Sequence, residues 1–238
     1  MTKNTKILLS IVLLIALAGL SYTYLHAPAG NAGSAKNSSM PPVTDNDWAQ
    51  RAPGSQVTVV EYADYQCPAC AAYHPLVETL KNDYKGRVTF VFRLFPLPMH
   101  LNAVPAGIAA EAAGMQGKYF EMADKLFTNQ QDWESSNTPE DTFVKYASEI
   151  GLDAEKFKTD FASDTLRQKV VAYFKAGSQA KVTSTPTFFI NGVKIKNPSG
   201  NTNNDVLTGF RALIDAELAK TNSAITVTST TTSSTTKQ

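Results

Sequence analysis

Two cysteines constrain this chain more than any other feature, because Cys67 and Cys70 are its only cysteines and lie three positions apart. They follow residues 56–64, "QVTVVEYAD", whose β-branched and aromatic side chains predict a buried strand. Pro68 comes directly after Cys67, and proline suits the first position of a helix, where its missing N–H group would have no partner. The sequence therefore predicts that Cys67 lies at a turn from a strand into a helix.

The pattern after the cysteines alternates between helix and strand signals. Asn191 and Gly192, between two apolar runs, are typical of a hairpin turn. The predicted elements are a helix to about residue 84, a strand at 87–95, helices within 102–181, a hairpin at 186–195 and a closing helix at 204–220. We therefore expect an α/β protein in which a βαβ unit and a ββα unit are separated by an all-helical insertion at about 102–181.

The N-terminal segment is apolar and begins with positive charge. Lys3 and Lys6 precede an apolar run that reaches residue 25, and its length lies between that of a signal-peptide core and that of a membrane span. The two lysines should stay in the cytoplasm. We expect residues 1–25 to be an uncleaved signal anchor that holds the protein in the cell membrane, single-pass, with the C-terminal domain outside the cytoplasm. Cleavage near residues 27–29, "APA", is the alternative and would release the protein.

Two other segments lack an apolar period. Residues 26–46 are small, polar and proline-bearing, which predicts a flexible linker. Residues 221–238 contain 12 Ser or Thr among 18 residues, which predicts a disordered tail. The folded domain is thus expected at 47–220. The 22 basic and 21 acidic side chains of the chain nearly cancel, which argues against a nucleic-acid partner.

The cysteine pair has three readings: a redox pair, a structural disulfide or a metal site. A disulfide that closes so short a loop removes little chain entropy and is a poor staple. Zinc prefers four ligands, and only His26, His74 and His100 are available beside the cysteines. His74 could share a helix face with both cysteines, which leaves a soft metal such as Cu(I) open. A C-x-x-C at the strand-to-helix turn of a βαβ unit favours the redox reading.

Four segments resemble, in the same order, segments of the DsbA family of thioredoxin-fold proteins, in particular its membrane-tethered bacterial group. They are "VTVVEYADYQCPAC", "FRLFPLPMH", "GMQGKYFEMADKLF" and "TPTFFINGV", and the resemblance covers about residues 48–215. It implies a thioredoxin fold with a helical insertion and thiol–disulfide exchange with protein substrates. We expect no cofactor and no bound metal.

This chemistry gives the cysteines different roles. Cys67 is the expected nucleophile, which must ionise near neutral pH. The helix dipole supplies only ~0.3–1 kcal/mol, whereas lowering a thiol pKa by two units needs ~2.7 kcal/mol. Hydrogen bonds from the backbone and from the Cys70 thiol must therefore supply the rest. Cys70, one turn further on, is expected to resolve the mixed disulfide. Pro68 and Ala69 support the site, and Ala69 stands where the best-known strong oxidant of the family has a histidine.

Further site residues follow from the resemblance. It implies a cis peptide bond between Thr185 and Pro186 that faces the active site, so that Thr185 would offer backbone groups to an extended substrate peptide. Glu61 matches the family's buried acid beneath the disulfide, and its carboxyl would exchange a proton with Cys70.

Three other polar residues are candidates for a role in the site. Asp64 is the alternative to Glu61 as the proton-exchanging acid. His74 and His100 are interpreted as packing or capping residues rather than as ligands.

These inferences predict an extracytoplasmic thiol–disulfide oxidoreductase that introduces disulfide bonds into reduced exported proteins. The resemblance also implies a quinone-linked membrane thiol oxidase as the recycling partner, although no residue here identifies it. A disulfide reductase or isomerase is the alternative within the same chemistry. A soft-metal (Cu) module or a non-catalytic substrate-binding module is the alternative from another class.

Overall fold

A computed structural model describes residues 40–231, with side chains described as far as residue 221. The predicted signal anchor at 1–25, the linker as far as residue 39 and the tail from residue 232 lie outside the described residues. Within residues 40–231, no helix combines the length and the apolar character that crossing a membrane requires.

Five strands form one mixed sheet in the order β1-β3-β2-β4-β5. Their bounds are β1 Trp48–Gln50, β2 Val57–Ala63, β3 Val88–Leu94, β4 Thr187–Ile190 and β5 Val193–Lys194. Strands β2 and β3 are parallel, with Ala63 opposite Leu94 at their carboxyl ends. The other pairs are antiparallel. Cys67 and Cys70 therefore come shortly after β2, at the edge of the sheet where β2 and β3 both end.

Seven α-helices and one 3₁₀ turn complete the described part of the chain. They are α1 Pro68–Asp83, α2 Ala103–Gly114, α3 Tyr119–Thr128, the 3₁₀ turn Gln130–Asp132, α4 Pro139–Glu149, α5 Ala154–Phe161, α6 Asp164–Gln179 and α7 Asn203–Thr231. Helix α1 joins β2 to β3, and α7 follows the β4–β5 hairpin. Helices α2 to α6 lie between these units in the chain. The predicted thioredoxin fold with a helical insertion is confirmed.

The hairpin turn has the backbone that its sequence requires. Asn191 and Gly192 both have positive φ, 49° and 79°, as a two-residue turn matched to the twist of the strands demands. Asn191 also accepts a hydrogen bond at Oδ1 from the Thr58 N–H at 2.9 Å, which ties the turn to β2.

The cysteines lie where the sheet meets the insertion. One face of the sheet packs against α1 and α7 through residues such as Leu80, Phe188 and Phe210. Cys67 and Cys70 instead belong to the apolar core of the insertion, with large side chains such as Phe127 and Trp133. The active-site helix thus contacts two cores, one on each side.

The linker boundary expected at residue 46 is wrong. The Arg93 guanidinium donates to the carbonyl oxygens of Pro41 at 3.0 Å and Pro42 at 2.9 Å. It also binds both carboxylate oxygens of Asp47, at 2.7 and 3.0 Å, and the Tyr62 hydroxyl at 3.0 Å. Because one planar guanidinium collects all these acceptors, residues 40–47 are fixed to the domain. The composition of the segment gave no sign of this partner, and the short strand β1 was likewise not predicted.

The closing helix extends beyond residue 220, where we expected the tail to begin. Helix α7 continues to Thr231, into the Ser/Thr-rich segment that we expected to be disordered. No proline or glycine follows Gly209 in the sequence, so no strong helix breaker stops α7 there.

We expect Arg93→Ala to lower the free energy of unfolding by about 2–4 kcal/mol, because it leaves the Asp47 carboxylate half-buried without its partner. Arg211→Ala is the matched control, since Arg211 pairs with Asp83 at 2.7 Å between two exposed side chains and such pairs contribute less than about 1 kcal/mol. Urea unfolding monitored by circular dichroism measures both. Equal losses in the two variants would contradict the assigned role of Arg93.

Candidate active site

Cys67 lies at the junction between strand and helix, as predicted. Its N–H donates to the Asp64 carbonyl at 3.1 Å, and its own carbonyl accepts the first helical bond, from the Ala71 N–H at 3.1 Å. It is the N-cap of α1, with Pro68 in the first turn. The Cys67 sulfur is therefore at the positive end of a 16-residue helix.

The surroundings of Cys67 favour its thiolate. Both cysteines are present as free thiols. The Cys70 thiol donates a hydrogen bond to Cys67, and this is the main cause that lowers the pKa of Cys67 to about 5 against the opposing effect of burial. Thr185 and the N–H groups of Cys70 and Ala69 lower it further. At neutral pH Cys67 is therefore ionised. Hydrogen bonds from the Cys70 thiol and the backbone supply the stabilisation that the helix dipole alone cannot.

Cys70 has the opposite character. It is fully buried, and burial is the largest cause that raises its pKa, followed by the bond it donates to Cys67 and by the negative charges of Cys67 and Glu61. Cys70 therefore keeps its proton while Cys67 loses its own. The pair is asymmetric, as a nucleophile and a resolving thiol must be.

Thr185 and Pro186 lie beside the nucleophile. The peptide bond between them is cis, and the Thr185 carbonyl oxygen is 3.5 Å from the Cys67 sulfur. Among the residues whose side chains are described, the Thr185 hydroxyl is the one buried side-chain oxygen or nitrogen without a hydrogen-bond partner. That hydroxyl is thus available to the Cys67 thiolate. The pairing of Thr185 with a substrate peptide stays a prediction.

Glu61 is a buried carboxyl beneath the cysteines. It is in the middle strand β2, between Phe92 of β3 and Phe188 of β4. Burial raises its pKa to about 8, although the charge of Lys81 opposes this. The charge of Glu61 also acts on Cys70. Glu61 is thus protonated at neutral pH and is electrostatically coupled to the resolving thiol, while its catalytic role stays a prediction.

Asp64 has a different task. Its Oδ1 accepts from the Gln66 N–H at 2.8 Å. Its Oδ2 accepts from the Leu97 N–H at 2.8 Å and lies 2.7 Å from His100 Nδ1. The carboxyl is used to hold the turn before Cys67 to the loop after β3, so we favour Glu61 over Asp64 as the proton-exchanging acid.

Gln66 and Gln130 support the site but were not predicted. The Gln66 amide donates to the Glu134 carbonyl at 2.8 Å and accepts from the Asn102 N–H at 2.6 Å. The Gln130 amide donates to the Tyr65 carbonyl at 2.7 Å. These bonds fasten the active-site turn to the insertion across 36 to 68 positions of sequence, which no local pattern reveals.

The other candidates are placed as follows. Pro68 and Ala69 are exposed at the start of α1. His74 Nε2 is 2.9 Å from Asp124 Oδ1, and its ring stacks on Phe127 at 4.9 Å between centroids. Within the part of the chain that the structure describes, no three His, Cys, Asp or Glu side chains are grouped for a metal ion.

A family model described as thioredoxin matches residues 45–216. This chain belongs to the thioredoxin family. The predicted relationship to thioredoxin-fold proteins is therefore confirmed at the level of the family.

Solved structures show the same fold. The chain is similar to alpha-DsbA1 from Wolbachia pipientis, with a TM-score of 0.64 and 23% identity, over 79% of this chain and 100% of that one. It is also similar to MdbA, a thiol-disulfide oxidoreductase from Corynebacterium diphtheriae, with a TM-score of 0.57 and 20% identity, over 66% of this chain and 88% of that one. The DsbA-like fold predicted from the sequence is therefore confirmed.

A sodium/proton antiporter also contains a region similar to this chain. Na(+)/H(+) antiporter NhaA 1 from Mycobacterium sp. (strain KMS) is 34% identical over 159 residues, which are 65% of this chain and 25% of that protein. The thioredoxin-family chain thus spans about a quarter of the length of this relative.

We expect Cys70→Ala to raise the pKa of Cys67 above about 5, because the variant loses the largest donor to the thiolate. The rate of iodoacetamide alkylation against pH measures this, with mass spectrometry to locate the label. The rate for wild-type Cys67 should be half-maximal near pH 5, whereas the midpoint of the variant should lie at a higher pH. An unchanged midpoint, or label chiefly on Cys70 in the wild type, would contradict the assigned roles.

Proposed function

We propose that this thiol–disulfide oxidoreductase introduces disulfide bonds into reduced exported proteins outside the cytoplasm. The observation that carries the proposal is the low pKa of Cys67, about 5, beside a Cys70 whose pKa is raised. Donors that stabilise the thiolate stabilise the reduced enzyme, and a stabilised reduced form makes the disulfide a stronger oxidant.

The reaction begins when a substrate thiolate attacks Cys67 of the oxidised enzyme. The bond from the substrate sulfur to Cys67 forms while the Cys67–Cys70 bond breaks, and Cys70 leaves as a thiolate. The Glu61 carboxyl protonates that thiolate and becomes a carboxylate. A second substrate thiolate then attacks the substrate sulfur of the mixed disulfide and releases Cys67, which leaves readily because its pKa is low. Two electrons pass from the substrate to the enzyme.

The peptide that carries the attacked sulfur lies along Thr185 in this proposal. The support is the 3.5 Å approach of the Thr185 carbonyl to the Cys67 sulfur, which places backbone acceptors beside the reacting atom. An extended peptide can pair with such groups whatever its side chains are. This suits an enzyme that acts on many unfolded substrates.

Recycling requires an acceptor for the two electrons. We propose a quinone-linked membrane thiol oxidase, supported only by the resemblance of the cysteine and Thr-Pro segments to the DsbA group. Reduction or isomerisation of disulfides is the competing function, because Ala69 contributes no side-chain donor or charge to the thiolate.

We expect a reduction potential of roughly −200 to −130 mV for the Cys67–Cys70 pair, between thioredoxin near −270 mV and DsbA near −120 mV. Equilibration with glutathione buffers measures it. Ala69→His should make the pair more oxidising, by ~30 mV for each ~1.4 kcal/mol of added thiolate stabilisation. A wild-type potential at or below that of thioredoxin would reject the oxidising role and favour the reductase.

We expect Glu61→Gln to slow substrate oxidation near pH 7 by about tenfold or more, because the amide cannot protonate Cys70. Wild-type Glu61 is protonated below about pH 8, so its contribution should fade as pH rises through 8, and the two rates should converge there. A stopped-flow pH–rate profile with a dithiol peptide measures both proteins. Parallel profiles across the whole range would remove Glu61 from the mechanism.

The proposed location has its own test. The full chain should sediment with membranes, while a shorter form that begins at Ser39 should be soluble and active. Fractionation of cells that express each form decides between them. A mature N-terminus at Gly30 would show cleavage of the apolar segment and overturn the anchor.

A further inference from the structure

Glu61 lines a small, partly open cavity. This cavity has a volume of about 40 Å³ and is walled largely by apolar side chains. Its polar lining consists of Glu61, His74, Glu78 and Lys81. A water molecule needs roughly 10–15 Å³ of such space and two to four polar partners. The cavity therefore has room, and hydrogen-bonding groups, for about three water molecules beside Glu61.

One wall of the cavity is shared with the protein surface. A groove between α1 and α3 starts at the active-site residue Pro68 and is also lined by His74, Glu78 and Phe127. The same three residues line the cavity beside Glu61. The side chain of His74 is only 13% exposed, whereas that of its partner Asp124, on α3, is 63% exposed. His74 is therefore shared by the Glu61 cavity and the surface groove, as is Glu78, whose side chain is 41% exposed.

The contacts of His74 suit proton transfer. Its Nε2 is 2.9 Å from Asp124 Oδ1, and Phe127 stacks against its ring. An imidazole with one nitrogen on a carboxylate can accept a proton at one nitrogen and release one from the other. The Asp124 carboxylate stabilises the imidazolium that forms in between.

The other polar residues of the wall are less suited to this task. Lys81 Nζ is 2.7 Å from Glu78 Oε1 and lies over the Phe120 ring. An ammonium group has three donors and no acceptor, so Lys81 cannot take up a proton. Glu78 is held by that ion pair. The charge of Lys81 lowers the pKa of Glu61, and the charge of Glu78 raises it.

We propose that His74, held by Asp124, carries protons between solvent and Glu61 during each thiol–disulfide exchange. The inference rests on the proposed role of Glu61. When Cys70 leaves as a thiolate, Glu61 gives it a proton and becomes a carboxylate. His74 then takes a proton from solvent and passes it through the cavity water to Glu61. When the enzyme is reoxidised, the same proton leaves by the reverse path. His74 is thus a positioning and relay residue that touches neither sulfur.

The test compares His74→Phe with wild type in the full chain, with a reduced dithiol peptide as substrate. Phenylalanine keeps the stack on Phe127 but carries no proton. The rate of peptide oxidation at pH 7 should fall about tenfold. The rate of His74→Ala should fall likewise, and added imidazole, which fits the space left by the ring, should restore most of it. The reduction potential should not change, since an equilibrium does not depend on the route of the proton. Asp132→Asn is the matched control, because Asp132 lines the groove but not the cavity, and it should keep the wild-type rate.

The remaining outcomes separate this inference from the proposed function. A normal rate in His74→Phe beside a slow Glu61→Gln would overturn the relay and leave the buried acid in place. A slow His74→Ala that imidazole does not restore would show a packing role and also overturn it. If Glu61→Gln is itself unaffected, the role of the buried acid fails together with the relay, while the measured potential still decides the direction of exchange.

Discussion

The hydrogen bond from the Cys70 thiol to the Cys67 sulfur is the contact on which the reactivity of the site depends. It outweighs the burial of Cys67, which on its own would raise the pKa. The dipole of α1 acts in the same direction but contributes only ~0.3–1 kcal/mol in typical sites. The same bond requires Cys70 to keep its proton, so it lowers the pKa of Cys67 and adds to burial, the largest cause that raises the pKa of Cys70.

That contact is maintained by the turn before the helix. Asp64 binds the Gln66 N–H within the turn and the Leu97 N–H outside it. Gln66 in turn binds Asn102 and Glu134 of the insertion. The helical insertion therefore fixes the start of α1 from one side, while the sheet fixes it from the other. A site that must hold a thiolate and a thiol in contact gains this precision from two cores rather than one.

The sequence predicted what depends on neighbouring residues. Pro68 after Cys67 and the Asn191–Gly192 turn are local signals, and the structure has a helix and a hairpin at these places. Contacts between distant residues gave no such signal. Arg93 binds Pro41, Pro42 and Asp47. Glu111 accepts hydrogen bonds from Trp48 at 3.0 Å and from Tyr173 at 2.6 Å. Such partners are set by the tertiary fold, so the domain boundary and strand β1 were missed.

In the proposed reaction the two sulfurs have different proton requirements, and one buried acid would meet them. Cys67 is released as a thiolate that is stable at pH 7, because its pKa is about 5, and it needs no proton. Cys70 is buried and must be protonated each time the enzyme is reduced. The proposed reaction therefore brings one proton into the interior per reduction, and a carboxyl with a pKa of about 8 is protonated at neutral pH and would supply it. A strongly acidic carboxyl at this position would be ionised already, and its charge would oppose formation of the Cys70 thiolate without supplying the proton that this thiolate needs.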